Sequence, residues 1–278
     1  MTDVQTQLIL FWISVGFCLL GTFFFISGMA FRKESMTKYG VLSSYLAFPP
    51  ATAALILRWI QTGHVPSIGI YEVFTIYAAG VLLFFLAARL WQPSLNMAGI
   101  IVLPLVMLMI GIGVMGSTEM TELPTTYFTY WLGIHMVFAT LALGGVMVSA
   151  GMCIIYLVKS RQEEKGRVTP LTAKLPDLAR IDYMGYRFTL FAFIMMGIMI
   201  ASGAIWGYKS WGRYWGWDPI ETWSLISWLA YGAYLHLRVS GLKGKRAAWL
   251  YFAVIIIAIF SFFGAPYLYP TIHDRFVK

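Results

Sequence analysis

The sequence predicts an all-α, polytopic integral membrane protein with eight transmembrane helices. Three observations lead to this fold class. First, 59% of the 278 residues are hydrophobic and only 12% are charged, whereas a soluble domain carries about 25% charged residues. Second, the apolar residues form eight runs, each long enough for a helix to cross about 30 Å of hydrocarbon. Third, the basic residues cluster in the connections between alternate runs.

The eight runs, taken in order, define the predicted spans. The first lacks a small-residue cleavage site, so we interpret it as a span and not as a removed signal. The first and third show no charge inside the membrane and are interpreted as lipid-facing or packing helices. The fifth is rich in glycine and alanine, which lets helices approach closely. The predicted spans are residues 7–31, 42–62, 70–90, 98–116, 129–158, 188–206, 222–240 and 247–266.

The basic residues predict the orientation of this single membrane domain, residues 1–278. Four connections hold 15 of the 20 Lys and Arg residues, namely 31–38, the position of Arg89, 159–187 and 238–246. The positive-inside rule places these connections in the cytoplasm and both termini outside. Residues 62–70, 116–128, 207–221 and 267–278 then lie on the outer side. The net charge of +8 reflects this bias and does not indicate binding to nucleic acid.

The segment 206–236 holds six of the eleven tryptophans. Glycines and a proline interrupt it, so roughly residues 207–221 are predicted to form a loop or a broken, surface-lying helix. Tryptophan also anchors proteins at membrane interfaces, but that role explains one or two rings, not five within eighteen residues. Clustered indoles with a few polar groups predict a flat apolar platform for a large planar ligand. The platform residues are Trp206, Trp211, Trp215, Trp217, Asp218, Glu221, Trp223 and Trp228.

Four histidines are the only imidazoles of the chain. His135 lies near the outer end of the fifth span and His273 just beyond the eighth, so both can converge over the platform. An imidazole pair with apolar walls suits haem iron, although each alone could be a hydrogen-bonded interfacial histidine. His64 lies beside Pro66 in an outer loop, which favours its interpretation as a turn residue. It is the weakest candidate for a role in haem binding.

His236 is predicted to lie inside the membrane. It follows Thr222 by fourteen residues, which is about 21 Å along a helix and places it in the cytoplasmic half of the bilayer. Ionisable groups at that depth are costly and usually functional. No other histidine of this chain is predicted at that depth. A symmetric metal site at His236 would therefore take its second ligand from another polypeptide.

The run WGRYWGWDPIETWSLISW (211–228) resembles the tryptophan-rich WWD signature of the haem-handling proteins of cytochrome c assembly. Its ETW continuation, the YLH at 234–236 and the flanking His135 and His273 are similar to the CcsA (ResC) proteins of system II. The stretch RWIQTGHVPSIGIYE (58–72) is also similar to a segment of that family. The short tail DRFVK after His273 is a departure from the family pattern.

The resemblance implies a function and a set of ligands. His135 and His273 would be the external axial ligands of haem b on the WWD platform. His236 would be one of two ligands to a haem inside the membrane, with the other ligand from a CcsB (ResB) partner. The protein would move haem across a bacterial plasma membrane or a thylakoid membrane. It would then present the haem for thioether attachment to the CxxCH segment of apocytochrome c, as part of a haem lyase.

Two other functions stay open at this point. A haem-binding transporter or regulatory protein, like the CcmC and HemX proteins, would use the same ligands without attachment chemistry. Because the lyase reaction needs no nucleophile from the protein, no catalytic residue is predicted that could separate the two. An electron-transfer subunit with a permanent b-type haem would instead require paired deep histidines on facing helices, and His236 is the only deep histidine.

Overall fold

A computed structural model describes residues 3–31, 33–119, 129–167, 170–173 and 175–274. Across these residues the chain is helical and has no β-strand. Most of the predicted outer connection 116–128, and the tail from residue 275, lie outside the described residues.

Ten α-helices follow one another along the described chain. They are α1 (Asp3–Ala30), α2 (Glu34–Thr62), α3 (Gly69–Trp91), α4 (Gly99–Met115), α5 (Tyr130–Glu164), α6 (Pro170–Ala173), α7 (Leu178–Trp211), α8 (Pro219–Val239), α9 (Gly244–Ile259) and α10 (Ala265–Leu268). A 3-10 turn, Pro93–Ala98, precedes α4, and a π-helical turn, Phe260–Gly264, joins α9 to α10.

The prediction of an all-α, multi-pass membrane protein is confirmed. Six helical stretches are long and apolar enough to cross a membrane by length and composition: α1, α2, α3, α5, α7 and the continuous stretch from α9 through α10. The shorter apolar helix α4, with 17 residues, and α8, with 21 residues, complete the eight expected spans.

Two details of the prediction are wrong. The predicted loop 207–221 is shorter, because α7 continues through Gly207 and ends only where Gly212 adopts a left-handed φ of 80°. The loop between α7 and α8 is therefore 212–218. The expectation that the third span carries no charge also fails, since the first turn of α3 carries Glu72 with 1% of its surface exposed, although α3 does act as a packing helix against α4 and α5.

The helices pack as two groups. Helices α1 to α4 form one group, and α5, α7, α8 and α9 form the other, with α3 packing on α5 between them. The connections 63–68 and 212–218 and the segment 269–274 meet at one end of the bundle, which we call the tryptophan end. The opposite end, with the basic connections, is the basic end. Cys18 and Cys153 are both buried, free thiols of the core.

A partly buried ion pair joins the helices at the basic end. The guanidinium of Arg238 in α8 donates to both carboxylate oxygens of Asp182 in α7, at 2.7 and 2.8 Å. The same carboxylate accepts the backbone N–H of Gly244 at the start of α9, at 3.2 Å. One carboxylate thus joins three helices, and a charge pair that satisfies its hydrogen bonds in this way avoids most of the cost of burial.

Close packing of α3 on α5 depends on glycine. A Cβ added to Gly80 would overlap the Cγ2 atom of Thr140, and one added to Gly144 would lie 2.6 Å from the ring of Phe84. Thr140 cannot turn away easily, because it is β-branched and its hydroxyl donates to the Met136 carbonyl at 2.8 Å. The prediction that glycines of the fifth span permit close helix approach agrees with this geometry at Gly144.

We expect Gly80→Ala to destabilise the fold by about 1–3 kcal/mol, the usual cost of overpacking a tight interface. Gly16→Ala in α1 is the matched control, because a Cβ at Gly16 meets nothing within 4 Å. There the higher helix propensity of alanine should leave stability unchanged or raise it by up to ~1 kcal/mol. Thermal unfolding of both variants in detergent measures the difference, and equal shifts would contradict this account of the α3–α5 interface.

Candidate functional site

A cavity of about 770 Å³, including its open mouth, lies at the tryptophan end. Five separate parts of the chain line it: the start of α3 with Ser67 before it, α5, α7, α8, and the segment from the π-helical turn to His273. Its described lining residues include no Lys, Arg, Asp or Glu.

His135 lines this cavity from α5. Its Nδ1 lies 2.9 Å from the backbone carbonyl oxygen of Met199 in α7. A carbonyl can only accept a hydrogen bond, so Nδ1 carries the proton and Nε2 keeps its lone pair. This hydrogen bond fixes both the tautomer and the ring, which is how metal-binding histidines are normally oriented.

His273 lines the same cavity from the C-terminal segment. Its Nδ1 lies 3.2 Å from Oδ1 of Asp218, and the backbone N–H of Ile272 donates to Oδ2 of the same carboxylate at 3.0 Å. A carboxylate accepts a hydrogen bond from a protonated Nδ1, so in the neutral ring Nε2 is the nitrogen with the lone pair. The structure therefore brings His135 and His273 to one cavity, each with its Nδ1 engaged.

Asp218 also begins α8, since its side chain accepts the N–H of Ile220 at 3.0 Å. Burial alone would raise the pKa of this carboxyl, but the hydrogen bonds from His273, Ile272 and Ile220 outweigh burial and hold the pKa below its usual value. The carboxylate is thus kept ionised as the acceptor for His273. Asp218 thus orients the imidazole of His273.

Glu221 fixes the turn before α8. Its Oε2 accepts the N–H of Gly216 at 2.7 Å and that of Asp218 at 3.2 Å. Trp217, between these two, has a φ of 57°, a left-handed conformation that is uncommon for a residue other than glycine. Such a conformation persists only where the surroundings hold it, and Glu221 holds both flanking peptide groups.

The six tryptophans take different positions. Trp206 lines the cavity, with its ring centroid 6.4 Å from that of His135 and 6.0 Å from that of His273. Trp211 packs edge-on against Trp206 at 4.8 Å and against His273 at 5.0 Å. These two rings and the two imidazoles form one cluster.

The other four tryptophans contact different partners. Trp215 and Trp217 pack on each other in the loop, with 69% of the Trp217 surface exposed. Trp223 packs on Phe260 of the π-helical turn at 4.5 Å. Trp228 stacks on Phe193 of α7 at 4.9 Å and donates its indole N–H to the Phe193 carbonyl. Among the described lining residues of the cavity, Trp206 is the only tryptophan.

The remaining two histidines lie away from the cavity. His236 is in the last turn of α8, at the basic end, and its side chain is exposed on the surface of the bundle. His64 lies in the connection between α2 and α3, with its Nδ1 3.0 Å from the Val65 carbonyl.

The sequence interpretation missed a buried ion pair beside the cavity, between Arg58 of α2 and Glu72 of α3. The signal was present, because both residues lie at the ends of apolar runs predicted to span the membrane, where ionisable groups are usually functional. They also begin and end the stretch 58–72 noted above.

Comparison with known proteins shows relatives over most of the chain. Residues 67–273 match the family described as "Cytochrome C assembly protein". The chain is 28% identical to the cytochrome c biogenesis protein CcsA of Guillardia theta, with 89% of each chain covered. It is 30% identical to CcsA of Synechococcus sp. (strain RCC307), with 80% of each covered.

A solved structure shares the fold. The chain superposes on the cytochrome c haem lyase CcmF with a TM-score of 0.68 and 19% identity, over 98% of this chain and 48% of CcmF. The chain thus spans about half the length of CcmF. With the family match covering the cavity residues from Ser67 to His273, we conclude that this chain belongs to the cytochrome c assembly protein family, as a relative of the CcsA cytochrome c biogenesis proteins.

Proposed function

We propose that this chain is the haem-handling subunit of a cytochrome c synthase. It holds haem b, as substrate, in the cavity at the tryptophan end, with His135 and His273 as axial ligands to the iron. The observation that carries this proposal is the pair of imidazoles at one uncharged cavity, each with its Nδ1 hydrogen-bonded and its Nε2 lone pair left for a metal.

The cavity chemistry suits a porphyrin ring. Apolar side chains, among them Met136, Met199 and Phe262, supply most of the lining, and such walls exclude water from a planar macrocycle. Trp206 contributes an indole close to both imidazoles. Two neutral imidazoles give the bis-histidine ligation typical of a low-spin haem.

The reaction itself asks little of the side chains. A cysteine thiol of apocytochrome c adds across a haem vinyl group: a carbon–sulfur bond forms to one vinyl carbon and the thiol hydrogen passes to the other. The addition is balanced without an oxidant or reductant. The protein contributes positioning, and holding reacting groups in a near-attack geometry can supply several orders of magnitude in rate. One axial histidine must then yield to the histidine of the CxxCH segment.

The remaining parts of the proposal concern topology and partners. The tryptophan end faces outward from a bacterial inner membrane or a thylakoid membrane, with both termini on that side. His236 joins a ligand from a CcsB-like subunit to hold haem on its way to the cavity. Exposure of His236 on the bundle surface supports a site shared with a second protein, since a partner can reach it there.

His273→Gly should abolish the low-spin, bis-histidine absorption spectrum of haem in the purified complex, because one axial ligand is lost. Added imidazole should partly restore the spectrum and cytochrome c maturation by occupying the vacated coordination position. His64→Gly, at the same end of the bundle but outside the cavity lining, serves as the control. An unchanged spectrum in His273→Gly would show that His273 is not a ligand.

Trp206→Ala should lower haem affinity about 10- to 100-fold, because losing a buried aromatic contact costs roughly 1.5–3 kcal/mol. Trp206→Phe should be milder. Trp217→Ala, in the exposed part of the loop, and Trp12→Ala, an exposed ring of α1, should change affinity little. Haem titration of the four variants measures these differences, and equal losses at all three positions would indicate general destabilisation.

Co-expression tests the partnership and separates attachment from transport alone. Expressed with apocytochrome c but without a CcsB-like subunit, the chain should bind haem weakly and yield no mature cytochrome c. Adding the subunit should restore both, and His236→Ala should then reduce the haem found at the cavity. Full maturation by the solitary chain would overturn the shared site, whereas haem binding without maturation in the full complex would favour a transporter or regulator.

A further inference from the structure

The buried pair of Arg58 and Glu72 takes no part in ligation or attachment. Their side chains are 3% and 2% exposed, and Nε of Arg58 lies 2.7 Å from Oε1 of Glu72. A buried ion pair is by itself weak support for stability, because desolvation offsets much of the attraction. Its surroundings indicate what else the pair does.

The second oxygen of Glu72 holds the backbone that precedes α3. Oε2 accepts the N–H of Ser67 at 2.8 Å and the N–H of Ile68 at 2.9 Å. Ser67 lines the cavity. Ile68 belongs to a buried apolar cluster with Leu132 of α5 and Trp206 of α7. One carboxylate oxygen therefore fixes the cavity wall that packs near Trp206.

The guanidinium of Arg58 extends the same framework to other helices. It donates to the carbonyl of Thr118, after the end of α4, at 2.9 Å and to that of Glu119 at 3.4 Å. It also lies 5.3 Å from the ring centroid of Tyr71, whose hydroxyl donates to Gln7 of α1 at 3.0 Å. The wall of the cavity is thus anchored to α1, α2, α3 and the segment that follows α4.

We propose that Arg58 and Glu72 are positioning residues for haem. Arg58 orients the Glu72 carboxylate, and Glu72 holds the backbone of Ser67 and Ile68. This sets the distance between that wall of the cavity and Trp206, so that a flat macrocycle fits between them. This inference rests on the proposed function, because it concerns the same cavity. It adds that the first group of helices, which supplies neither axial ligand, sets the shape of the haem site.

The pair of Asp182 and Arg238 at the basic end is a matched control within the same chain. It is also an arginine–carboxylate pair, with a buried Arg238 and a half-buried Asp182 whose carboxylate accepts a backbone N–H, but it lies at the opposite end from the cavity. Substitutions in the two pairs should destabilise the fold similarly. Only substitutions at Arg58 and Glu72 should alter haem binding for the same loss of stability.

The first experiment compares Glu72→Asp, Arg58→Lys and Asp182→Asn in the complex co-expressed with its CcsB-like subunit. Glu72→Asp keeps the charge, so the chain should still fold, but the shorter side chain cannot reach Arg58 and both peptide groups. We expect haem transfer to apomyoglobin to become about 10- to 100-fold faster in Glu72→Asp, the usual effect of losing a partner that orients a haem or metal site. Asp182→Asn should lower the unfolding temperature without faster transfer. Equal transfer rates for Glu72→Asp and Asp182→Asn at matched unfolding temperatures would overturn the inference.

The second experiment exchanges the charges, Arg58→Glu with Glu72→Arg. An arginine at position 72 can form the ion pair but cannot accept the two peptide N–H groups, because a guanidinium has no acceptor. The single variant Glu72→Gln, which lacks the ion pair, is the reference for stability. We therefore expect the exchanged pair to raise the unfolding temperature above that of Glu72→Gln, while haem transfer stays faster than in the wild-type complex. If the exchanged pair instead transfers haem as slowly as the wild-type complex, the ion pair alone explains the effect, and the hydrogen bonds from Glu72 to Ser67 and Ile68 do not position haem.

The two proposals fail differently. If the His273→Gly complex has the same haem spectrum as the wild-type complex, the proposed function is wrong, and this inference is wrong with it. A wild-type complex with haem on His135 and His273, and unchanged haem transfer in Glu72→Asp, removes this inference alone.

Discussion

The carboxylate of Asp218 is the interaction on which the candidate site depends. It starts α8 through Ile220, accepts the Ile272 N–H, and orients the imidazole of His273. The first two contacts join the loop after α7 to the segment after α10. The hydrogen bond to His273 uses the same carboxylate oxygen, Oδ1, that accepts the Ile220 N–H. The atom that defines the start of α8 therefore also sets the position of His273. The low pKa of the carboxyl keeps all three contacts available near neutral pH.

Much of the fold could be predicted from the sequence because the lengths of apolar runs and the placement of basic residues decide how many helices cross a membrane. Glycine was less informative. Gly207 was expected to interrupt α7, yet it lies inside the helix. A Cβ added to Gly207 would be only 3.0 Å from the indole nitrogen of Trp211. The indole of Trp211 packs over Gly207 from one turn further along the same helix, so the helix continues through this glycine, and Gly212, with its left-handed φ, ends it instead.

The candidate site was predictable in part. The scarcity of histidine and the alternation of helices predicted that His135 and His273 share one end of the bundle, and the structure places both at one cavity. Sequence spacing could not assign the tryptophans. Trp223 and Trp228 are five residues apart on α8, which turns them by about 140° around the helix, so they face different neighbours. The roles of Arg58 and Glu72 depend on backbone groups of Ser67 and Ile68, which no side-chain pattern reveals.

The two imidazoles are held by supports of unequal strength. His135 lies on α5, and its hydrogen bond goes to the backbone of α7, so two packed helices hold its ring. His273 follows the last helix, and its departure would break its contact with Asp218 while leaving the bundle intact. An exchange of one axial histidine for a histidine of an incoming polypeptide would therefore be directional. Under the proposed ligation, His273 would be the ring released, and the iron would stay on His135 throughout.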